Sequence, residues 1–166
     1  MSTKKISELG VLLSVGLILS YLESLIPVAF PIPGIKLGLA NIVTMYILYR
    51  YKAKEAILIM ILRVLISGIL FSGLTAIVFG ILGGLLSITF MLLAKKTGFF
   101  SIMGLSMIGA VMHNAGQILA AFIIMENAAV IYYFPYLLIS GIITGLIVGY
   151  ISAIIIKRLS RLKNDN

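Results

Sequence analysis

The 166-residue chain contains no cysteine, which excludes disulfides, thiolate metal sites and cysteine nucleophiles. It has one histidine and five acidic residues, and only 11% of its residues are charged, against roughly a quarter in an ordinary soluble domain. Its single aspartate is Asp165, near the C-terminus, so magnesium-held diphosphate chemistry on paired aspartates is excluded. No G-x-x-x-x-G-K-[ST] occurs, and the chain cannot hydrolyse ATP as a P-loop protein. With so few acids and bases, the chain is expected not to be an enzyme and to carry no cofactor.

What is abundant is apolar: 61% of residues are hydrophobic. They fall in runs of roughly 18–25 residues, the length needed to cross about 30 Å of hydrocarbon. The formal charge of +8 is not a nucleic-acid signal, because the basic residues lie in the gaps between apolar runs rather than on one face. The reading is an all-α, polytopic membrane protein occupying 1–166 as one transmembrane domain, with no nucleic-acid partner.

Six spans are expected, at about 8–26, 37–49, 55–72, 74–94, 101–125 and 135–156. The first ends at Pro27, Pro31, Pro33 and Gly34, a turn signal. Pro135 suits the first helical position of the sixth, where its missing N–H costs nothing, which leaves 126–133 as a connecting loop. Lys4 and Lys5 precede the first apolar run, but no small-x-small cleavage site follows, so that helix is expected to be retained. Orientation follows from lysine and arginine. With both termini cytoplasmic, Lys4, Lys5, Arg50, Lys52, Lys54, Lys95, Lys96, Lys157, Arg158, Arg161 and Lys163 all lie inside, eleven of the thirteen basic residues. The exceptions are Lys36, in the first outer loop, and Arg63, within the membrane.

Gly141, Gly145, Gly149 and Ala153 recur every fourth residue along the sixth span, and the first carries Gly10 and Ser14, then Gly16, Ser20 and Ser24. Such stripes let backbones approach closely in lipid. They serve internal packing or, for Gly10 and Ser14 above all, docking of a partner membrane protein.

Arg63 at mid-bilayer costs at least about 2.5 kcal/mol to insert, so it should face a partner or a water-filled cavity. Glu23, Lys36, Asn41, Asn114 and Gln117 all fall in the outer half, with His113 mid-span. Interhelical hydrogen bonding accounts for any one of them; their clustering at one depth points to a ligand pocket open to the outside. With no second histidine, His113 reads as a hydrogen-bonding group rather than a metal ligand. Tyr132, Tyr133, Phe134 and Tyr136 suit the membrane–water boundary. No inverted repeat relates spans one to three with four to six, which weakens the case for a self-sufficient secondary transporter.

The strings Ser20-Tyr21-Leu22-Glu23-Ser24-Leu25-Ile26-Pro27, Pro31-Ile32-Pro33-Gly34-Ile35-Lys36-Leu37-Gly38-Leu39-Ala40-Asn41, Arg63-Val64-Leu65-Ile66-Ser67-Gly68, Gly83-Gly84 and Gly109-Ala110-Val111-Met112-His113-Asn114-Ala115-Gly116-Gln117 resemble one family over nearly the whole chain. It is the Gx transporter family, which also carries the older label heptaprenyl diphosphate synthase component I. The family resembles the six-helix, substrate-binding S component of energy-coupling factor (ECF) transporters. That resemblance implies an S-component-like bundle, a plasma-membrane location, and a partner module of one transmembrane coupling subunit and two ATPases. It also implies a small-molecule substrate, either a flavin or an isoprenoid-linked precursor, held by Glu23, Lys36, Asn41, Arg63, His113, Asn114 and Gln117. Arg63, Lys36 and His113 favour an anionic ligand, and Tyr21 and Tyr46 could cover a ring system. A non-catalytic membrane accessory of prenyl diphosphate synthesis, and a structural adaptor of a redox assembly, stay open beside it.

Overall fold

The computed structural model describes residues 2–25 and 38–164, with side chains through 159. The described residues are helical throughout apart from short turns. The helices are α1 (Thr3–Ser24), α2 (Asn41–Arg50), α3 (Ala53–Ser67), α4 (Leu74–Lys96), α5 (Ile102–Met125) and α6 (Phe134–Asn164). A π-helical turn, Gly68–Ser72, extends α3, and a 3-10 turn, Ala128–Tyr133, leads into α6. The segment expected as a loop before α6 is therefore mostly helical.

Five segments are long and apolar enough to cross a membrane: Thr3–Ser24, Ala53–Ser72, Leu74–Lys96, Ile102–Met125 and Ala128–Leu159. The chain is a multi-pass membrane protein. The second expected span, 37–49, corresponds among the described residues only to α2. Its ten residues reach about 15 Å, half of the hydrocarbon thickness. The reason is local. Gly38 takes φ +86°, and a run of tight turn hydrogen bonds (Asn41 N to Gly38 O, 2.9 Å; Ile42 N to Leu39 O, 3.1 Å) starts the helix only at Asn41.

Helix ends follow the capping chemistry written in the sequence. Ser2 accepts from Lys5 N, and Ser101 accepts from Gly104 N at 3.2 Å. The Glu55 carboxylate accepts from Lys52 N–H at 3.1 Å, which satisfies an orphan donor at the start of α3. Glu126, at φ 49°, terminates α5, and Gly73, at φ +85°, makes the sharp turn between α3 and α4.

The most extensive packing joins α4, α5 and α6 in antiparallel sequence. Glycine makes it possible. A Cβ on Gly116 would lie 2.6 Å from Leu82 O and 2.7 Å from Gly83 Cα, so the α4 and α5 backbones touch. Gly141, Gly145 and Gly149 all face α5, where a Cβ would meet Val111 Cα at 3.2 Å, Met107 Cα at 2.7 Å and Met103 Cα at 2.8 Å. The small-residue stripe of α6 is thus internal packing. The stripe of α1 divides: Gly16 and Ser20 are buried, whereas Gly10 and Ser14 are exposed, with open space around Gly10.

Helices α1 and α3 run parallel beside this body and are tied at their starts by a polar group. Lys5 pairs with Glu55, the Tyr51 hydroxyl donates to the Glu8 carboxylate, and Lys5 Nζ lies 5.6 Å from the Tyr51 ring centroid. Burial and then the neighbouring Glu8 carboxylate push the Tyr51 phenol up to about 12. At the same end Lys95 donates to the Leu48 carbonyl at 2.7 Å and sits 4.3 Å from the Tyr49 ring centroid. This anchors the C-terminus of α2 to the C-terminus of α4. The other end of α2 is left in the middle of the bundle.

Candidate functional site

The seam between α1/α3 and the α4–α5 pair holds the polar residues of the membrane interior. Arg63, midway along α3, is 9% exposed. Its Nη1 donates to Ser20 Oγ at 2.9 Å, and the Glu23 carboxylate lies close enough to attract the guanidinium. Ser20 and Glu23 are three residues apart and so share one face of α1. Glu23 is buried and also accepts from the backbone N–H of Gly38. The charge is therefore neither exposed to lipid nor left alone, as insertion energetics require.

Glycines on the facing helices make room for these side chains. A Cβ on Gly16 would stand 3.1 Å from Arg63 Cδ, and one on Gly80 would stand 2.8 Å from Val64 Cγ1. One on Gly83 would stand 2.9 Å from His113 Cε1. His113 and Gln117, one turn apart on α5, are both buried. The His113 Nδ1 atom lies against the Gly83 backbone without a well-formed hydrogen bond.

These residues enclose an open cavity lined by Ser20, Glu23, Gly38, Asn41, Arg63, Val64, Ser67, Ala76, Gly80, His113 and Gln117. It holds about 450 Å³ of empty space, its mouth included, but only a small part of that is wide enough for water. That admits about three waters, or a carboxylate or phosphate group that displaces them. A ring the size of a flavin fits only if the mouth widens.

Of the seven expected ligand residues, five line this cavity: Glu23, Asn41, Arg63, His113 and Gln117. Asn114 is placed elsewhere. Its Nδ2 donates to the Leu137 carbonyl at 2.7 Å and joins α5 to α6. The helical offset explains this: His113 and Gln117 face α3 and α4, while Asn114, 100° further round, faces α6. Lys36, in the first outer loop, lies outside the described residues. Tyr21 is half exposed and packs edge-on against Phe71 of the π turn, centroids 5.4 Å apart. Tyr132 and Tyr136 are exposed at the far end. Sequence reasoning gave no site role to Ser67 or Gly80, which carry no charge, although Ser67 lies within one of the strings that carry the family resemblance. It read Ser20 as part of a small-residue stripe rather than as the hydrogen-bond partner of Arg63.

No curated protein and no solved structure matches the chain. The model of one family, described as heptaprenyl diphosphate synthase component I, matches residues 12–155 and so takes in every described residue of the cavity. With that match spanning all but the two ends of the sequence, the chain belongs to the heptaprenyl diphosphate synthase component I family.

Proposed function

We propose that the protein is the substrate-binding membrane subunit, S-component-like, of an ECF-type ATP-driven transporter. In this reading it is a six-helix bundle in the plasma membrane with both termini cytoplasmic, and it takes a small anionic molecule from the outer side. It is not an enzyme, and the energy comes from a transmembrane coupling subunit and two ATPases. The single supporting observation is the Arg63 cavity: a guanidinium held by Ser20 and Glu23 beside His113 and Gln117, within an open polar recess between helices. An anionic group that enters finds a cation already desolvated, so its attraction is stronger than at a wetted surface. The dimensions favour a ligand that inserts only its charged group and leaves its bulk toward the mouth. A flavin phosphate or an isoprenoid diphosphate both have that shape. The exposed Gly10 and Ser14 on α1 supply the close-approach surface for the coupling subunit.

Native mass spectrometry of gently solubilised protein tests both parts at once. The expected result is a retained small-molecule adduct, lost in Arg63→Ala, with co-purification of a coupling subunit. A chain that carries no adduct and binds neither flavin nucleotides nor prenyl diphosphates would refute the reading.

The family description favours one other reading, a non-catalytic membrane accessory of heptaprenyl diphosphate synthesis. It requires co-purification with a soluble, aspartate-rich synthase whose activity falls when this chain is removed.

A further inference from the structure

Asn41 and Gly38 border two cavities rather than one. The second continues from them toward the end of the bundle that carries Lys95 and Lys96. It runs between α2, α4, α5 and α6, bounded by Met45, Ser87, Ser106, Gly109 and Thr144. It is narrow, with room for about one water.

Three hydroxyl side chains, Ser87, Ser106 and Thr144, stand in walls that are otherwise mostly apolar, Met91 and Ala110 among them. Ser87 and Ser106 are each 3% exposed and sit on facing helices. The missing side chain of Gly109 creates the gap between them, since a Cβ there would stand 3.2 Å from Ser87 Oγ and 2.5 Å from Met91 Sδ. On α6 the row continues. Thr144 and Val148 line the cavity, and Ser152 is the next residue at the four-residue spacing. Ser152 is 1% exposed, and its hydroxyl has no hydrogen-bond partner among the described residues. A dry, unpaired hydroxyl in a membrane interior costs free energy that one water recovers.

We propose that the two cavities form one hydrated path. Water enters through the Arg63 cavity, passes Asn41 at the free end of α2, and reaches Ser87 and Ser106, with Ser152 at its far end. The path is of single-water width, so it carries water and excludes any solute large enough to fill the Arg63 cavity. Because α2 is a half-length helix, its amide-bearing end is the natural constriction between the two compartments.

The natural absence of cysteine makes the test direct. Single-cysteine variants Ser87→Cys and Ser106→Cys, purified in chloride-free buffer, are exposed to Ag⁺, an ion small enough to follow water. They are then denatured and titrated with a fluorescent maleimide. Ala120→Cys is the dry control, since Ala120 is 0% exposed within an apolar cluster of Phe79, Ile118, Ala121, Val130 and Leu137. Both serine positions should be silvered at least about ten-fold faster than Ala120→Cys, because thiol reactivity follows access. Adding Asn41→Leu should slow both. Rates equal to the Ala120→Cys control would overturn the hydrated path, and fast rates indifferent to Asn41→Leu would overturn the route past Asn41. Neither result depends on which ligand the Arg63 cavity takes.

Discussion

Two glycine-to-alanine substitutions, identical in chemistry, should have opposite consequences. In Gly145→Ala the new methyl would stand 2.7 Å from Met107 Cα and 3.1 Å from Ala110 Cβ. Comfortable carbon–carbon contact begins near 3.4 Å, so α5 and α6 must part by about 0.7 Å, and the nearest obstacle is backbone that cannot swing aside. A gap of that size forfeits about a quarter to a half of each dispersion contact along the seam. The Gly141 and Gly149 contacts loosen with it. The expected cost is about 1–3 kcal/mol, the range for overpacking a close-packed interior. In Gly10→Ala nothing lies within 4 Å of the new methyl, and replacing glycine in a helix interior favours the helix by up to about 1 kcal/mol. Thermal unfolding in detergent, followed by circular dichroism and by loss of the monodisperse peak, gives both values on one scale. Gly145→Ala should melt several degrees below wild type and Gly10→Ala at or above it. If Gly145→Ala proved as stable as Gly10→Ala, direct backbone contact between α5 and α6 would be refuted.

Arg63→Met together with Glu23→Gln should retain or raise thermal stability, because replacing both members of a buried charge pair costs little, whereas removing the cation alone strands the Glu23 carboxylate; native mass spectrometry should show the wild-type small-molecule adduct gone. Asn114→Leu should do the reverse: it frees the Leu137 carbonyl, costs about 0.6–2 kcal/mol in the same thermal assay, and leaves the adduct in place. Tyr51 titrates at about 12 in the folded chain and near 10 when unfolded, so its contribution is complete below pH 10 and lost as pH rises through 12. Tyr51→Phe should therefore flatten the loss of thermal stability across that window, measured as melting temperature against pH. Gly16→Ala places a methyl 3.1 Å from Arg63 Cδ, the flexible stem of a side chain rather than backbone. The fold should survive it, while adduct retention falls as the guanidinium is displaced.

The membrane character, the long spans and five residues of the Arg63 cavity (Glu23, Asn41, Arg63, His113 and Gln117) were legible because each rests on a strong local signal. A run of twenty apolar residues, or one arginine within it, has few alternative explanations in a bilayer. The half-length of α2 was not legible. Its apolar run reads as a short span, and what cuts it is the positive φ of Gly38 and the turn bonds that follow. Asn114 was misplaced by one helical step. Depth alone groups it with Gln117, and only the contact with Leu137 decides which neighbouring helix it serves. The two stripes of small residues looked alike in the sequence, yet α6 turns its own onto α5 while α1 turns half of its own outward. That choice depends on neighbours far away in the chain, and a local pattern cannot contain it.

The same glycine chemistry is used for two purposes, and the difference separates scaffold from site. Where Gly116 and Gly145 meet α4 and α5, the nearest atoms are backbone, and the missing Cβ lets two helices lock together. At Gly16 and Gly83 the nearest atoms belong to the cavity side chains Arg63 and His113, and the missing Cβ leaves space for a polar group. The locked body of α4, α5 and α6 presents His113 and Gln117 from one side. The α1 and α3 pair, joined to it less extensively, presents Ser20, Glu23 and Arg63 from the other. A polar cavity at the weaker of two seams can widen without breaking the stronger one. An opening motion that admits a ligand larger than about three waters therefore has to run along the α1/α3 side, and the glycine-locked side is what it moves against.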